Sequence, residues 1–262
     1  MTTSATTANP DILVHTEAAV TTITINRIDK KNSFTAVMYS ALADALDSAS
    51  RDATVSVVVI QGHETIFSAG NDIRDFLNVP PDHADAPVFR FMRGISTFPK
   101  PIIASVCGPA VGIGTTLLLH CDLVYAGDNA AFSMPFVNLG ICPEAGSSLL
   151  VPQLMGHQRA AEALLLGEPF MAETALELGL VNRIVPPSEA NALAQRQAQK
   201  LAAKPLPSLI ETKRLMKKGN ATLVAERIEE EGASFGRMLS EPAAREAFGA
   251  FMEKRKPDFS KV

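Results

Sequence analysis

The residues of this chain best suited to do chemistry lie between Phe132 and Ser148, in the run F-S-M-P-F-V-N-L-G-I-C-P-E-A-G-S-S. Its centre, Pro143-Glu144-Ala145-Gly146, sets one carboxylate among apolar and small residues. Apolar surroundings disfavour the charged form of a carboxylate, which tunes it for proton transfer near neutral pH. Pro before Glu also reads as the first turn of a helix, where Pro is tolerated and negative charge is favoured. Taken alone, the pair favours a Glu that merely complements a helix dipole.

Two Gly-containing loops bear on that choice. Gly108-Pro109-Ala110-Val111-Gly112-Ile113-Gly114 lies between an apolar run and a helical stretch. Its glycines do not fit G-x-G-x-x-G, and no Lys-Ser/Thr pair follows, so neither phosphate-binding signature is present. Tight strand-to-helix packing is the simplest explanation; a backbone turn that aims free N–H groups at a ligand oxygen is the functional one. Ala69-Gly70-Asn71-Asp72 repeats the situation at the exit of another apolar run. Two such loops can aim one N–H each at a single carbonyl oxygen, forming an oxyanion hole; two unrelated turns are the alternative.

Other reactive types carry less. Cys107, Cys121 and Cys142 match no zinc spacing, and an odd, low count argues for reduced thiols inside the cell. Cys142 next to Pro143-Glu144 reads as a small packing residue ahead of a nucleophile. Of the histidines, His120 reads as structural, and His63 and His83 as solvated loop residues.

The elements that must position these groups follow from periodicity. Ile12–His15 and Val20–Ile25 alternate around Glu17-Ala18-Ala19, a hairpin pattern. Ser33 is placed to cap a helix with Val37, Leu42, Ala45 and Leu46 on its apolar face. Val55–Ile60, Ile102–Val106 and Cys121–Ala126 read as buried strands, and about Val88–Phe98 as a helix. The Pro/Asp-rich residues 78–87 read as a surface loop. Strands alternating with helices imply βαβ units in an α/β fold. From Val151 helices dominate, expected at 157–166, 172–178, 188–203, 205–218, 222–236 and 241–254, with a short apolar run at Val181–Val185. The expected organisation is a flexible tail at 1–10, an α/β core at 11–190 and a helical region at 191–262.

The chain has 262 residues, 47% of them apolar, 20% charged, with net charge −4. That size allows a substantial core. The acidic balance and absence of Trp argue against a nucleic-acid partner. No apolar run reaches membrane-spanning length, and the Thr/Ser/Ala-rich start lacks a secretory pattern, so a cytoplasmic location is expected. The Ser260-Lys261-Val262 end only approaches a peroxisomal signal.

The three segments F-S-A-G-N-D-I, P-K-P-I-I-A-S-V-C-G-P-A-V-G-I-G and H-C-D-L-V-Y-A-G, in that order, resemble the crotonase (enoyl-CoA hydratase/isomerase) superfamily. The resemblance extends from about Ile12 to the C-terminal F-M-E-K-R-K-P-D-F. It implies a crotonase-like spiral of ββα units with a helical C-terminal trimerisation region. It also implies an acyl-CoA thioester substrate, no separate cofactor or metal, and a homotrimer or dimer of trimers.

By motif position the oxyanion-hole N–H groups fall on Asn71 and Ile113. Contacts to substrate and CoA fall on Arg27, Lys30, Lys31 and Phe34, on Ala69, Gly70, Asp72 and Ile73, on Gly112 and Phe136, and on Phe251 and Lys254. The two glutamates of the hydratases align with Thr116 and Phe136, neither of which shuttles protons. Leu139-Gly140-Ile141-Cys142-Pro143-Glu144-Ala145-Gly146-Ser147-Ser148 instead resembles the peroxisomal-type Δ3,Δ2-enoyl-CoA isomerases, whose single base aligns with Glu144. The resemblance thus implies an isomerase. Hydratase or other crotonase chemistry, a non-catalytic binding protein and, more distantly, a nicotinamide-dependent oxidoreductase are the alternatives.

Overall fold

The computed structural model describes residues 9–78 and 85–262, apart from the Lys261 side chain. Most of the expected tail and of the 78–87 loop, with His83, therefore lies outside the described residues. Strands β1 (Ile12–Glu17) and β2 (Val20–Ile25) form an antiparallel hairpin. Ala18 and Ala19 link them with φ of 48° and 62°. Two left-handed residues in succession match the right-handed twist of the flanking strands. Helix α1 (Ala36–Arg51) follows. Its cap is Thr35, whose hydroxyl accepts from the Met38 N–H; Ser33, the expected cap, donates to the Lys30 carbonyl instead. Leu42, Ala45 and Leu46 face the core as expected, but Val37 is exposed and Met38 and Tyr39 take the inner positions.

Strand β3 (Val57–Gln61), short helix α2 (Ile73–Asn78), α3 (Pro87–Thr97) and β4 (Ile102–Val106) come next. The Gly-rich segment is not a simple turn. It contains a short strand, β5 (Pro109–Val111), before α4 (Ile113–Thr116) and a 3-10 turn through His120. Then β6 (Leu123–Gly127) and β7 (Ala131–Ser133) lead to α5 (Ser147–Met155), α6 (His157–Ala161) and a π-helical turn. Strand β8 (Phe170–Met171), α7 (Ala172–Glu177) and β9 (Arg183–Val185) complete the sheets. Four helices end the chain: α8 (Pro187–Ala202), α9 (Leu206–Lys217), α10 (Ala221–Leu239) and α11 (Pro242–Glu253).

The larger sheet has the order β1-β2-β3-β4-β6-β9 and is parallel from β2 onward. A smaller sheet, β5-β7-β8, stands beside it. The successive turns of strand pair and helix match the expected spiral. Parallel strands buried on both faces need continuous apolar sequence, and Val57, Val58, Val59 and Ile60 supply it. One face packs on α1 and α3; the other packs on Leu193, Ala194 and Ala198 of α8. Residue 190, the expected end of the α/β core, thus lies inside a helix that covers the sheet.

Because β2, β3 and β4 run parallel, the loops that leave them gather along one edge. The first half of α3, the stretch after β7, and α10 meet around one apolar cavity there. Among the described residues no helix is long and apolar enough to cross a membrane.

Candidate active site

Three strand-exit loops are stitched together through their backbones. The Phe34 N–H donates to the Gly70 carbonyl, and the Asp72 N–H to the Phe34 carbonyl, both at 2.8 Å. The Ala69 N–H donates to the Lys31 carbonyl at 2.9 Å. Ser68 N–H donates to the Pro109 carbonyl, and Val111 N–H returns a bond to the Ser68 carbonyl. Gly70, at φ +85°, lies so close to β5 that a Cβ there would stand 2.9 Å from the Val111 oxygen.

Next to this contact lie the N–H groups of Asn71 and Ile113. Neither donates to an acceptor among the described residues. Ile113 opens α4, where a first-turn N–H has no partner within the helix. The Gly112 N–H is used by the Ser133 carbonyl, so Gly112 contributes its left-handed turn (φ 55°) and not a donor.

Glu144 is 5% exposed, and its Oε1 has no hydrogen-bond partner. It faces a narrow apolar cavity with Phe76 of α2, Val88, Phe89 and Met92 of α3, and Ile228, Gly232 and Phe235 of α10. Burial, and next the charge of Glu231, push its pKa up to about 8. The expected helix start at Pro143-Glu144 is not observed. Ala145 and Gly146 adopt φ of 59° and 73°, which breaks the right-handed path and delays α5 to Ser147. Its first free N–H groups are met by the Glu231 carboxylate, so the dipole is complemented from α10. Glu144 is thereby released from a capping role. Buried His120, held neutral by a pKa lowered to about 4, contacts the Ala145 carbonyl at 2.7 Å and secures the same turn.

Tyr39 was not among the residues singled out by sequence. Its hydroxyl donates to Asn71 Oδ1, and burial followed by the charge of Glu144 raises its pKa well above the usual tyrosine value. It therefore links the Asn71 loop to the Glu144 side of the cavity. In sequence it was masked as one more apolar-face residue of a helix.

The remaining expected residues divide. Arg27 is not a free phosphate ligand: its guanidinium donates to Asp72 Oδ2 at 2.8 Å and to the Ser33 carbonyl, and it lies 3.7 Å from Asp11. Asp72 is held in that pair. Phe34 is 2% exposed and stacks obliquely against Tyr39, so it belongs to the core. Lys30 and Lys31 remain exposed beside the loops, and Ile73 is half-buried. Phe136 is buried with Ile141, Phe235 and Phe248. Thr116 is buried with its hydroxyl unpartnered. Phe251 and Lys254 are exposed at the end of α11, outside the cluster that surrounds the Glu144 loop. Burial pushes the thiols of Cys107 and Cys121 up to about 11 and 12, and raises that of Cys142, which removes them as ready nucleophiles.

Residues 15–261 match the enoyl-CoA hydratase/isomerase family. The chain belongs to that family. Among curated relatives, enoyl-CoA delta isomerase 2 of Rattus norvegicus is 39% identical over 88% of this chain, which spans 60% of that protein. The 1,2-epoxyphenylacetyl-CoA isomerase of Escherichia coli is 35% identical, over 95% of this chain and 98% of the relative. The 2,3-dehydroadipyl-CoA hydratase of the same organism is 30% identical over 95% and 98%. The solved structure of Pseudomonas aeruginosa OdaA superposes with a TM-score of 0.91 at 47% identity, covering 93% of this chain and 99% of that one. This crotonase-superfamily chain is thus an enzyme of acyl-CoA chemistry. Family members of both isomerase and hydratase type stand near it, so the reaction must be argued from the site.

Proposed function

We propose that the protein is a Δ3,Δ2-enoyl-CoA isomerase in which Glu144 is the single acid–base. The observation that carries this reading is a buried, unpartnered carboxylate in an apolar cavity. Glu144 takes a proton from C2 of a 3-enoyl-CoA. The C–H electrons flow into the conjugated system and place negative charge on the thioester oxygen, giving a dienolate. The Asn71 and Ile113 N–H groups receive that oxygen; a fixed donor of this kind contributes about 10²–10³ in rate. Glu144 then delivers the same proton to C4, leaving the double bond between C2 and C3. A pKa near 8 makes Glu144 a stronger base than an ordinary carboxylate while still allowing it to return the proton.

Hydration requires a second carboxylate to handle water. By the resemblance in sequence, the positions of the hydratases' two glutamates fall on Thr116 and Phe136. Glu231, the other carboxylate acting on Glu144, has both oxygens engaged by the Gly146 and Ser148 N–H groups. The chemistry as written needs no cofactor beyond the CoA that carries the substrate. A cytoplasmic enzyme assembled as a homotrimer or dimer of trimers completes the proposal. Exposed Leu215, Met216 and Leu223 on α9 and α10 support contacts between copies, which light scattering would measure.

The test is the appearance of the conjugated thioester, followed in the ultraviolet, from 3-enoyl-CoA. Glu144→Gln should lower kcat by about 10³ or more while acyl-CoA binding persists. Full activity of that variant, or water addition to 2-enoyl-CoA as fast as isomerisation, would overturn the reading.

A further inference from the structure

Glu144 shares its loop with a second buried carboxylate that comes from a distant helix. Glu231 of α10 is 5% exposed. Its Oε2 accepts from the Gly146 N–H at 2.6 Å and its Oε1 from the Ser148 N–H at 2.8 Å. Both amides lie within the turn that follows Glu144 and Ala145, at the start of the nine-residue α5. Two neighbouring ties reinforce the grip. Arg227 donates to Ser148 Oγ at 3.1 Å, and the Cys142 thiol donates to the Glu231 carbonyl at 3.7 Å. One turn of α10 therefore holds the chain on both sides of Glu144. The same turn presents Ile228 and Gly232 to the cavity, with Phe235 one turn further on.

We propose that Glu231 is a positioning residue: it clamps the Glu144 loop to α10, so that the base and the wall of its apolar cavity are set as one unit, and it holds a negative charge against the base. This rests on Glu144 being the base. Burial raises the Glu231 carboxyl above its usual value, while the two N–H bonds it accepts at the helix start and the charge of Arg227 oppose that rise by favouring the ionised form. Among the described residues, the titratable groups around Glu144 are few. The Tyr39 hydroxyl faces it from α1, the Cys142 thiol from its own loop, and Glu231 from α10, while His120 reaches only the Ala145 carbonyl. Helices α2 and α3 contribute Phe76, Val88, Phe89 and Met92, which carry no charge. Among the described residues, Glu231 is thus the group whose charge bears on proton uptake by Glu144.

The charge and the clamp separate experimentally. Glu231→Gln keeps the side-chain volume but removes the charge and sets an amide against an N–H donor. The acid limb of kcat/KM for 3-enoyl-CoA isomerisation should move to lower pH by about one unit, because a like charge no longer opposes ionisation of Glu144. Its kcat should fall by about tenfold as the loop loosens, with a smaller change in KM. Glu231→Asp keeps the charge on a shorter arm that cannot span both amides. It should leave the acid limb in place and lower kcat. In both variants the Gly146 and Ser148 amides should exchange with deuterium faster than in the parent enzyme. A Glu231→Gln limb that stays in place overturns the proposal, whether kcat is unchanged or falls for purely structural reasons. Glu144→Gln in the same assay keeps the two readings apart: its full activity would refute the base itself, whereas its inactivity with an unmoved Glu231→Gln limb refutes only the role given to Glu231.

Discussion

Glu144 resists ionisation because it is buried, with no donor to its Oε1, and because the charge of Glu231 opposes a second negative charge. A base must be ionised to act. Below its pKa of about 8, kcat/KM should therefore fall tenfold for each unit of pH, and above it should level off. A profile measured from pH 5 to 9 checks both the slope and the sign. Tyr39 supplies a second prediction at this scale. Tyr39→Phe removes the donor to Asn71 Oδ1 and lets that loop shift. With one hydrogen bond contributing about 1 kcal/mol, kcat should drop about fivefold while the fold persists. The local pattern around Glu144 was visible in sequence because L-G-I-C-P-E-A-G-S-S is contiguous. Tyr39 and Glu231 were not, since each gains its meaning from a partner distant in the chain: Asn71 for one, Gly146 and Ser148 for the other.

Among the elements, those set by local chemistry were the readable ones. β-Branched alternation in V-T-T-I-T-I and the unbroken apolar run ending β3 announce strands, and α1, α8 and α10 show helical periodicity. The start of α5 departs from its local sequence signal for a physical reason. Pro143-Glu144 has the local chemistry of a first turn, but Ala145 is held left-handed by His120 and by the clamp from α10. Tertiary contacts outweighed propensity there. The Ser33 cap failed similarly, because Arg27 and the Lys30 carbonyl already occupy its hydroxyl. The hairpin loop offers a direct test of turn chemistry. Ala18→Asn with Ala19→Gly puts residues tolerant of positive φ where two alanines are strained, and should raise unfolding free energy by about 1 kcal/mol in denaturant titration. Gly70→Ala has the opposite sign. Its Cβ would meet the Val111 oxygen at a left-handed position, so stability should fall by roughly 1–3 kcal/mol and activity with it.

At the scale of the whole molecule, helix α9 is anchored by a buried cation as well as by apolar packing. Lys213 of α9 donates to Asp122 Oδ2 and to the Lys100 carbonyl, both at 2.7 Å, and Asp122 also accepts from the Ile102 N–H of β4. Lys213→Met leaves Asp122 without its cation, and unfolding free energy should fall by about 3 kcal/mol, read by urea titration. Such long-range anchoring was not legible beforehand, because lysines in an amphipathic helix read as solvated. Helix α10 has a different consequence. It walls the Glu144 cavity from within the same chain, as Ile228, Gly232 and Phe235 show. A damaged copy would then have no means of spoiling a sound neighbour. In mixtures of parent and Glu144→Gln chains, activity should follow the parent fraction in a straight line. In a cell carrying both alleles, the lesion would behave as recessive.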